Sequence, residues 1–330
     1  MKFLSKKISL IYLVILVIIS ATAISYFFLN PVKVIEKTAE NNTAQIELIR
    51  SSNRKLIRPL MMVEVPNEDP SLGGLKSSLQ DYFNSQKISG KLVSASVYIR
   101  DLNYGKWMAI NPDEQYSPGS MMKVVTLLSY LKDSEKDPSI LNKRLFFDTH
   151  FSQLPEQTII TKRLSPGQSY SVRDLLETMI IDSDNDATVL LASQTNFKTY
   201  FSLLRDLQLP VPAMDQKDYP ITTVKFSRLF RILFNASYLN QTNSEYALDL
   251  LSKSKFHEGL AKHLPANVTM AHKFGERFYG EDQQLHETGI VYLENRPYLV
   301  SVMTRGRSQD QLKEILSITG QTIYEFMRVH

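Results

Sequence analysis

Residues 171–191 read SVRDLLETMIIDSDNDATVLL. Ser171 and Asp174 have the spacing of a helix-opening capping box. Leu175, Leu176, Met179 and Ile180 recur at helical spacing and form one apolar side. Ser183, Asp184 and Asn185 then end the run with residues that favour turns. A strong helix with a polar stop therefore sits mid-chain, and the stretch around it, about 117–262, reads mainly helical. Strands lie on both sides. Before it, Val93 to Asp101 alternates, with Ala95, Val97 and Ile99 on one face and Ser96, Tyr98 and Arg100 on the other. Asn103-Tyr104-Gly105 supplies a turn, and Lys106 to Ile110 returns as a hairpin. After it come Val268 to Phe274, Glu287 to Leu293 and Tyr298 to Thr304. Helices close both ends. One is Ser71 to Ser85, with Leu72, Leu75, Leu79, Tyr82 and Phe83 on one side. The other opens at Ser308 and Gln311, with Leu312, Ile315 and Leu316 behind. The expected fold is α/β (α+β): a mostly antiparallel five-stranded sheet flanked by helices, with an inserted all-helical lobe. The cleft between sheet and lobe is the natural place for a site.

The chain has 330 residues, 43% hydrophobic and 22% charged, which is globular composition with material for one or two domains. Net charge is +4, and part of the excess sits at Lys2, Lys6 and Lys7. No basic stripe points to nucleic acid. There are no cysteines, so disulfides and thiolate metal sites are excluded; no cofactor or metal is expected. The three N-terminal lysines precede an apolar run from Ile8 to Leu29, long enough to cross a bilayer. The basic flank predicts a cytoplasmic N-terminus and an extracytoplasmic domain on a membrane anchor spanning about 1–30. Ala21-Thr22-Ala23 offers the alternative of a cleaved signal peptide. Residues 31–70 read as a spacer, in which Val32 to Ser51 is compatible with a polar helix. Leu60 to Val63 are too apolar for a free linker and are expected to pack on the domain at 71–330.

Three short strings occur in order: Ser120-Met121-Met122-Lys123, Ser183-Asp184-Asn185 and Lys273-Phe274-Gly275. Each alone has a bland reading, respectively a helix start, a helix end and a surface strand. Together they supply what serine acyl transfer needs. Ser117 suits an N-cap and Pro118 the first helical position, which would set Ser120 in the first turn of a helix with Lys123 on the same face. A serine hydroxyl needs a base, and a lysine amine serves only when burial or a nearby cation lowers its pKa. Lys273 would be that second cation and would attract an anionic substrate. Alternation on its strand separates Lys273 from His272, which reads as a packed histidine. Ser183 would pass a proton to the leaving nitrogen, Asn185 would bond the substrate amide, and Asp184 would be structural.

These strings and their surroundings, YSPGSMMKVVTLL at 116–128, ITTVKFSRLFRIL at 221–233 and HETGIVYL at 286–293, resemble class A β-lactamases and penicillin-binding proteins across about residues 72–328. The resemblance implies an acyl-enzyme on Ser120. It also implies an oxyanion hole from the backbone N–H groups of Ser120 and Glu276, the residue after Gly275. Two departures stand out. Phe274 replaces the hydroxyl residue that helps such enzymes hold a substrate carboxylate, with Arg305 as a candidate substitute. There is also no Glu between Glu177 and Glu245 to activate the deacylating water, which leaves Asp215 and Asp218 as weak candidates. Three functions stay open: a β-lactam hydrolase, a cell-wall D,D-peptidase or esterase acting on peptidoglycan-like substrates, and a slow binding module that has kept the fold.

Overall fold

The computed structural model describes residues 46–52, 56–152, 154, 157–212, 218–294 and 296–329. The predicted sheet is present. Strands β3 (Ser94–Asp101), β4 (Trp107–Ile110), β7 (Thr269–Tyr279), β8 (Asp282–Tyr292) and β9 (Tyr298–Gly306) lie in the order β4-β3-β9-β8-β7, all antiparallel. The two ends of the domain thus meet at β3 and β9, where Val97 pairs with Val302. β7 is an edge strand.

Alternation on β3 sorts its side chains into two cores. Ala95, Val97 and Ile99 join Leu75, Leu79 and Phe83 of helix α1 (Gly73–Ile88) and Leu312, Ile315 and Leu316 of helix α8 (Gln309–Val329). Tyr98 faces the other way, into the larger core of the helical lobe. Every residue of β3 is buried, because both faces of the sheet are covered. Burial on both sides supplies the hydrophobic stabilisation, roughly 1.5–3 kcal/mol for each large side chain.

The lobe holds α2 (Lys123–Ser134), α3 (Val172–Ile181), α4 (Asn185–Ala192), α5 (Phe197–Asp206), α6 (Thr223–Phe234) and α7 (Gln241–Ser252). The capping box at the head of α3 is made as predicted, Ser171 accepting from Asp174 N–H and Asp174 from Ser171 N–H. A small ribbon of β5 (Arg144–Phe147) and β6 (Gln168–Ser171) also sits in the lobe. Its alternation is too short to register in the sequence.

Three local expectations change. Glu47–Arg50, assigned above to a polar helix, forms strand β1 and pairs with β2 (Leu60–Glu64). Ile49, Met61 and Met62 join the lobe core, so the described end of the spacer is integral to the body. Glu64 fixes it there, 2.5 Å from Arg231, 3.3 Å from Arg228 and 3.8 Å from Arg100. Second, β7 and β8 run on to a tight turn at Gly280-Glu281. The extension carries Glu276, Arg277, Gln283 and Gln284, whose polarity hid the strand pattern. Third, Ser117 does not cap a helix. A 3-10 turn covers Gly119–Met122 and the α-helix starts at Lys123. Ser117 is used elsewhere, its N–H donating to Gln284 Oε1 at 3.1 Å and its carbonyl accepting from His286 Nε2 at 3.0 Å. The membrane anchor expected at 1–30 lies outside the described residues, and no described helix is long and apolar enough to cross a membrane.

Candidate active site

The 3-10 turn carrying Ser120 lies directly on the middle of β7. A Cβ on Gly275 would overlap the Pro118 carbonyl oxygen and stand 2.9 Å from Met121 N. Gly119, at φ +54°, closes the same contact from the other side, where a Cβ would overlap the Glu276 carbonyl. Glycine alone tolerates this approach and this backbone. His286 braces the turn. Thr304 N–H donates to its Nδ1 at 3.1 Å, so Nε2 carries the hydrogen and donates to Ser117 O. Burial pushes this imidazole down to about 3, so it is a neutral strut.

Lys123 is 4% exposed, and Lys273 and Ser183 are fully buried. The three converge. Lys123 Nζ lies 2.5 Å from Ser183 O, 2.7 Å from Asn185 Oδ1 and 3.2 Å from Ser183 Oγ. Lys273 Nζ donates to the same Oγ at 2.8 Å. Ser183 reaches both lysines because its backbone is left-handed, φ +56°, which an ordinary residue adopts only at a cost. Asp184 is structural: it caps α4, accepting from Ala187 N–H at 2.6 Å and Leu164 N–H at 3.3 Å. Burial lowers the Lys123 amine to about 7, against the opposing charges of Asp184 and Glu276. Burial, and then the neighbouring Lys123, push Lys273 well below its usual range. Two ammonium groups cannot both persist around one buried hydroxyl. Each therefore disfavours the charge of the other, and Lys123 titrates near neutrality.

Ser120, Lys123, Asn185 and Glu276 line a common cleft of about 280 Å³. Gly275 packs against the turn at Pro118 and Met121 and does not line the cleft. His272, as alternation predicted, points away from it; its Nδ1 lies 2.6 Å from Glu287 Oε1 beneath the sheet. Phe274 also leaves the cleft. Its ring packs on Phe256 with centroids 4.5 Å apart, in the core shared with α1 and α8, and Lys273 Nζ lies 4.2 Å from its centroid. Arg305 is not brought to the cleft. It sits on the central strand β9, opposite Ser94, 3.8 Å from Glu114 and donating to Gln115 O at 3.3 Å. Asp218 is absent from the lining too. Burial would raise its carboxyl, but hydrogen bonds from Ser117, Tyr279 and the Tyr219 N–H, together with the charge of Arg277, hold it below its ordinary value. Asp215 lies outside the described residues.

Sequence reasoning missed four contributors. The Glu276 carboxylate accepts from Thr158 N–H at 2.9 Å, Thr158 Oγ1 at 2.6 Å and Ile159 N–H at 3.2 Å. It thereby ties a loop to β7. Gln157 in that loop lines the cleft and donates to Ser183 O at 3.2 Å. Tyr200 and Arg277 line it as well. Burial pushes the Tyr200 phenol up to about 12, so it is a neutral hydrogen-bonding group. Only the continuation of β7 past Gly275 could have pointed to Arg277. No local pattern marks the others. Among the described residues no group of acidic or histidine side chains is arranged to hold a metal ion.

The model of the β-lactamase enzyme family matches residues 74–327. Among solved structures, the chain is similar to a mutant of PBP-A solved as its acyl-enzyme complex with penicillin G. Identity is 20% and the TM-score 0.64, over 77% of this chain and 96% of that one. It is also similar to the TLA-1 extended-spectrum β-lactamase, at 16% identity and TM-score 0.65 over 78% and 99%. A class A β-lactamase from Mycobacterium abscessus aligns at 17% and 0.64 over 75% and 98%. At these identities the likeness is one of fold. No curated protein sequence matches the chain.

Proposed function

The chain belongs to the β-lactamase enzyme family, and from that premise we propose that it is a serine acyl-transfer hydrolase that forms a slowly hydrolysed ester on Ser120 with β-lactams or related amides. The observation that carries the reading is the buried Lys123 amine, which titrates near 7 and shares the Ser183 hydroxyl with Lys273. Half of it is a free base at neutral pH, as proton abstraction requires. The Ser120 Oγ proton passes to Lys123 as Oγ bonds the carbonyl carbon and the π electrons move to oxygen. The backbone N–H groups of Ser120 and Glu276 hold that oxyanion. The C–N bond then breaks, and its nitrogen takes the Ser183 Oγ proton, which Lys123 replaces.

Hydrolysis of the ester needs a base for water. Among the described lining residues the one carboxylate is Glu276, already engaged by three donors. Tyr200 is a neutral phenol. Acylation therefore outpaces deacylation, which favours the penicillin-binding, D,D-peptidase-like branch over rapid β-lactam turnover. The intact lysine–serine network argues against a module without chemistry. In the same reading the apolar run at 8–29 holds the domain outside the cytoplasm, which fractionation and N-terminal sequencing of the mature chain check.

Intact-mass measurement during incubation with a penicillin and a cephalosporin tests the chemistry. An adduct lasting many minutes, lost in Ser120→Ala, is expected. Undiminished labelling of Ser120→Ala would remove the nucleophile assignment. Fast product release with only a transient adduct would instead make the protein a working β-lactamase.

A further inference from the structure

The cleft needs a fixed positive charge if it is to select anionic substrates, and the motif lysine does not provide one. Lys273 is fully buried and does not line the cleft. Phe274, at the position of the expected hydroxyl, is in the core below. Arg305 is spent on Glu114 and Gln115. Among the described lining residues, Arg277 is the one side chain that stays cationic at every physiological pH. It stands on β7, two residues past Gly275, and is partly exposed. Its Nε donates to Tyr279 Oη at 3.2 Å, and its guanidinium lies 5.3 Å from that ring's centroid. The Asp218 carboxylate, which accepts from Tyr219 N–H at 2.9 Å, is held below its ordinary value in part by Tyr279 and by the charge of Arg277. Asp218, the weak candidate base, thus couples to both members of this pair. Among the described residues no acceptor takes the terminal guanidinium nitrogens.

We propose that Arg277 is the specificity-determining residue of this cleft, reading a carboxylate beside the scissile amide of the acyl donor, with Tyr279 and Asp218 as its positioning residues. The substrate class is β-lactam acids or peptides with a free C-terminal carboxylate. A guanidinium fork offers a carboxylate two parallel charge-assisted bonds that the ester or amide of the same compound cannot accept as well. The proposal rests on Ser120 as the acylated residue, and the test separates the two.

The experiment compares a penicillin with its methyl ester, and an N-acyl peptide acid with its C-terminal amide, on the full chain. The quantity read is the ratio of second-order acylation constants, acid over neutral partner. Arg277→Gln should lower that ratio roughly 10- to 100-fold. Arg277→Lys should restore part of it. Tyr279→Phe and Asp218→Asn should lower it by less, with the pH midpoint of acylation unmoved. Which pair shows the larger effect tells the β-lactam from the peptide source. An unaltered ratio in Arg277→Gln, or no preference in the wild type, overturns the proposal. The same pairs are also titrated by calorimetry onto Ser120→Ala with and without Arg277→Gln. If the wild type is never acylated, tighter binding of the acid that depends on Arg277 still upholds the anion site. Equal binding, or none, rejects it.

Discussion

Changing pH between 5 and 9 carries the Lys123 amine through its titration. An ordinary lysine at 10.5 is free base in about one molecule in 3,000 at pH 7. With burial lowering Lys123 to about 7, half the molecules carry the base, an advantage of about a thousandfold. The acylation constant should rise with pH, reach half its plateau near 7 and be flat above about 8.5. Stopped-flow acylation with a chromogenic cephalosporin reads this directly. Lys123→Arg, whose side chain cannot lose its proton, should fall at least about a thousandfold at every pH. The same shift has a stability sign. Between 7 and 10.5 the unfolded chain holds a proton that the native amine has lost, so stability rises with pH across that window. The cost of keeping Lys123 buried is felt in full below 7, and the slope amounts to about 5 kcal/mol at most. Lys123→Met should flatten part of it in urea titrations at pH 7 and 9.5. A pH-independent acylation rate from 5 to 9, or a limb centred near 10, would refute the burial argument.

Ser183→Ala keeps the amines in place but removes the proton path, and acylation should slow about 10²–10⁴-fold with the fold intact by circular dichroism. Gly275→Ala forces a Cβ into the Pro118 carbonyl, which should cost roughly 1–3 kcal/mol, read as a lowered Tm. Glu64→Ala strands Arg228 and Arg231, whose side chains are 9% and 4% exposed, and should lose about 3–5 kcal/mol in denaturant unfolding. Acidification should destabilise the wild type between pH 6.5 and 3, because unfolded His286 binds a proton that the native imidazole refuses. Differential scanning calorimetry on His286→Gln should show a shallower fall over that range.

The sheet was legible wherever one residue in two was apolar, as in Ala95, Val97 and Ile99, and the lobe wherever the period was helical. The strands lost legibility from Glu276 to Gln284, where polar side chains line the cleft or brace the nucleophile turn. Lys123, Ser183, Asn185 and Lys273 were picked out as spaced strings, and the structure brings their side chains together, with Ser120 lining the same cleft as Lys123 and Asn185. Arg305 was read toward the cleft because its place at a strand end says nothing of its partners, and in the structure it turns to Glu114 and the Gln115 carbonyl. Arg277 and the Glu276 latch stayed hidden for a related reason. Their roles depend on which loop arrives opposite β7, a fact of tertiary packing that no local pattern encodes.

Ser183 presents both its carbonyl and its hydroxyl to one amine because its backbone turns left-handed. Shape and reactivity are therefore separable at this single position. A glycine there would adopt the same turn with less strain, keep the carbonyl on Lys123, and abolish the proton path. In the proposed reading, one substitution would thus separate a cleft that reacts with its ligand from one of the same shape that only holds it.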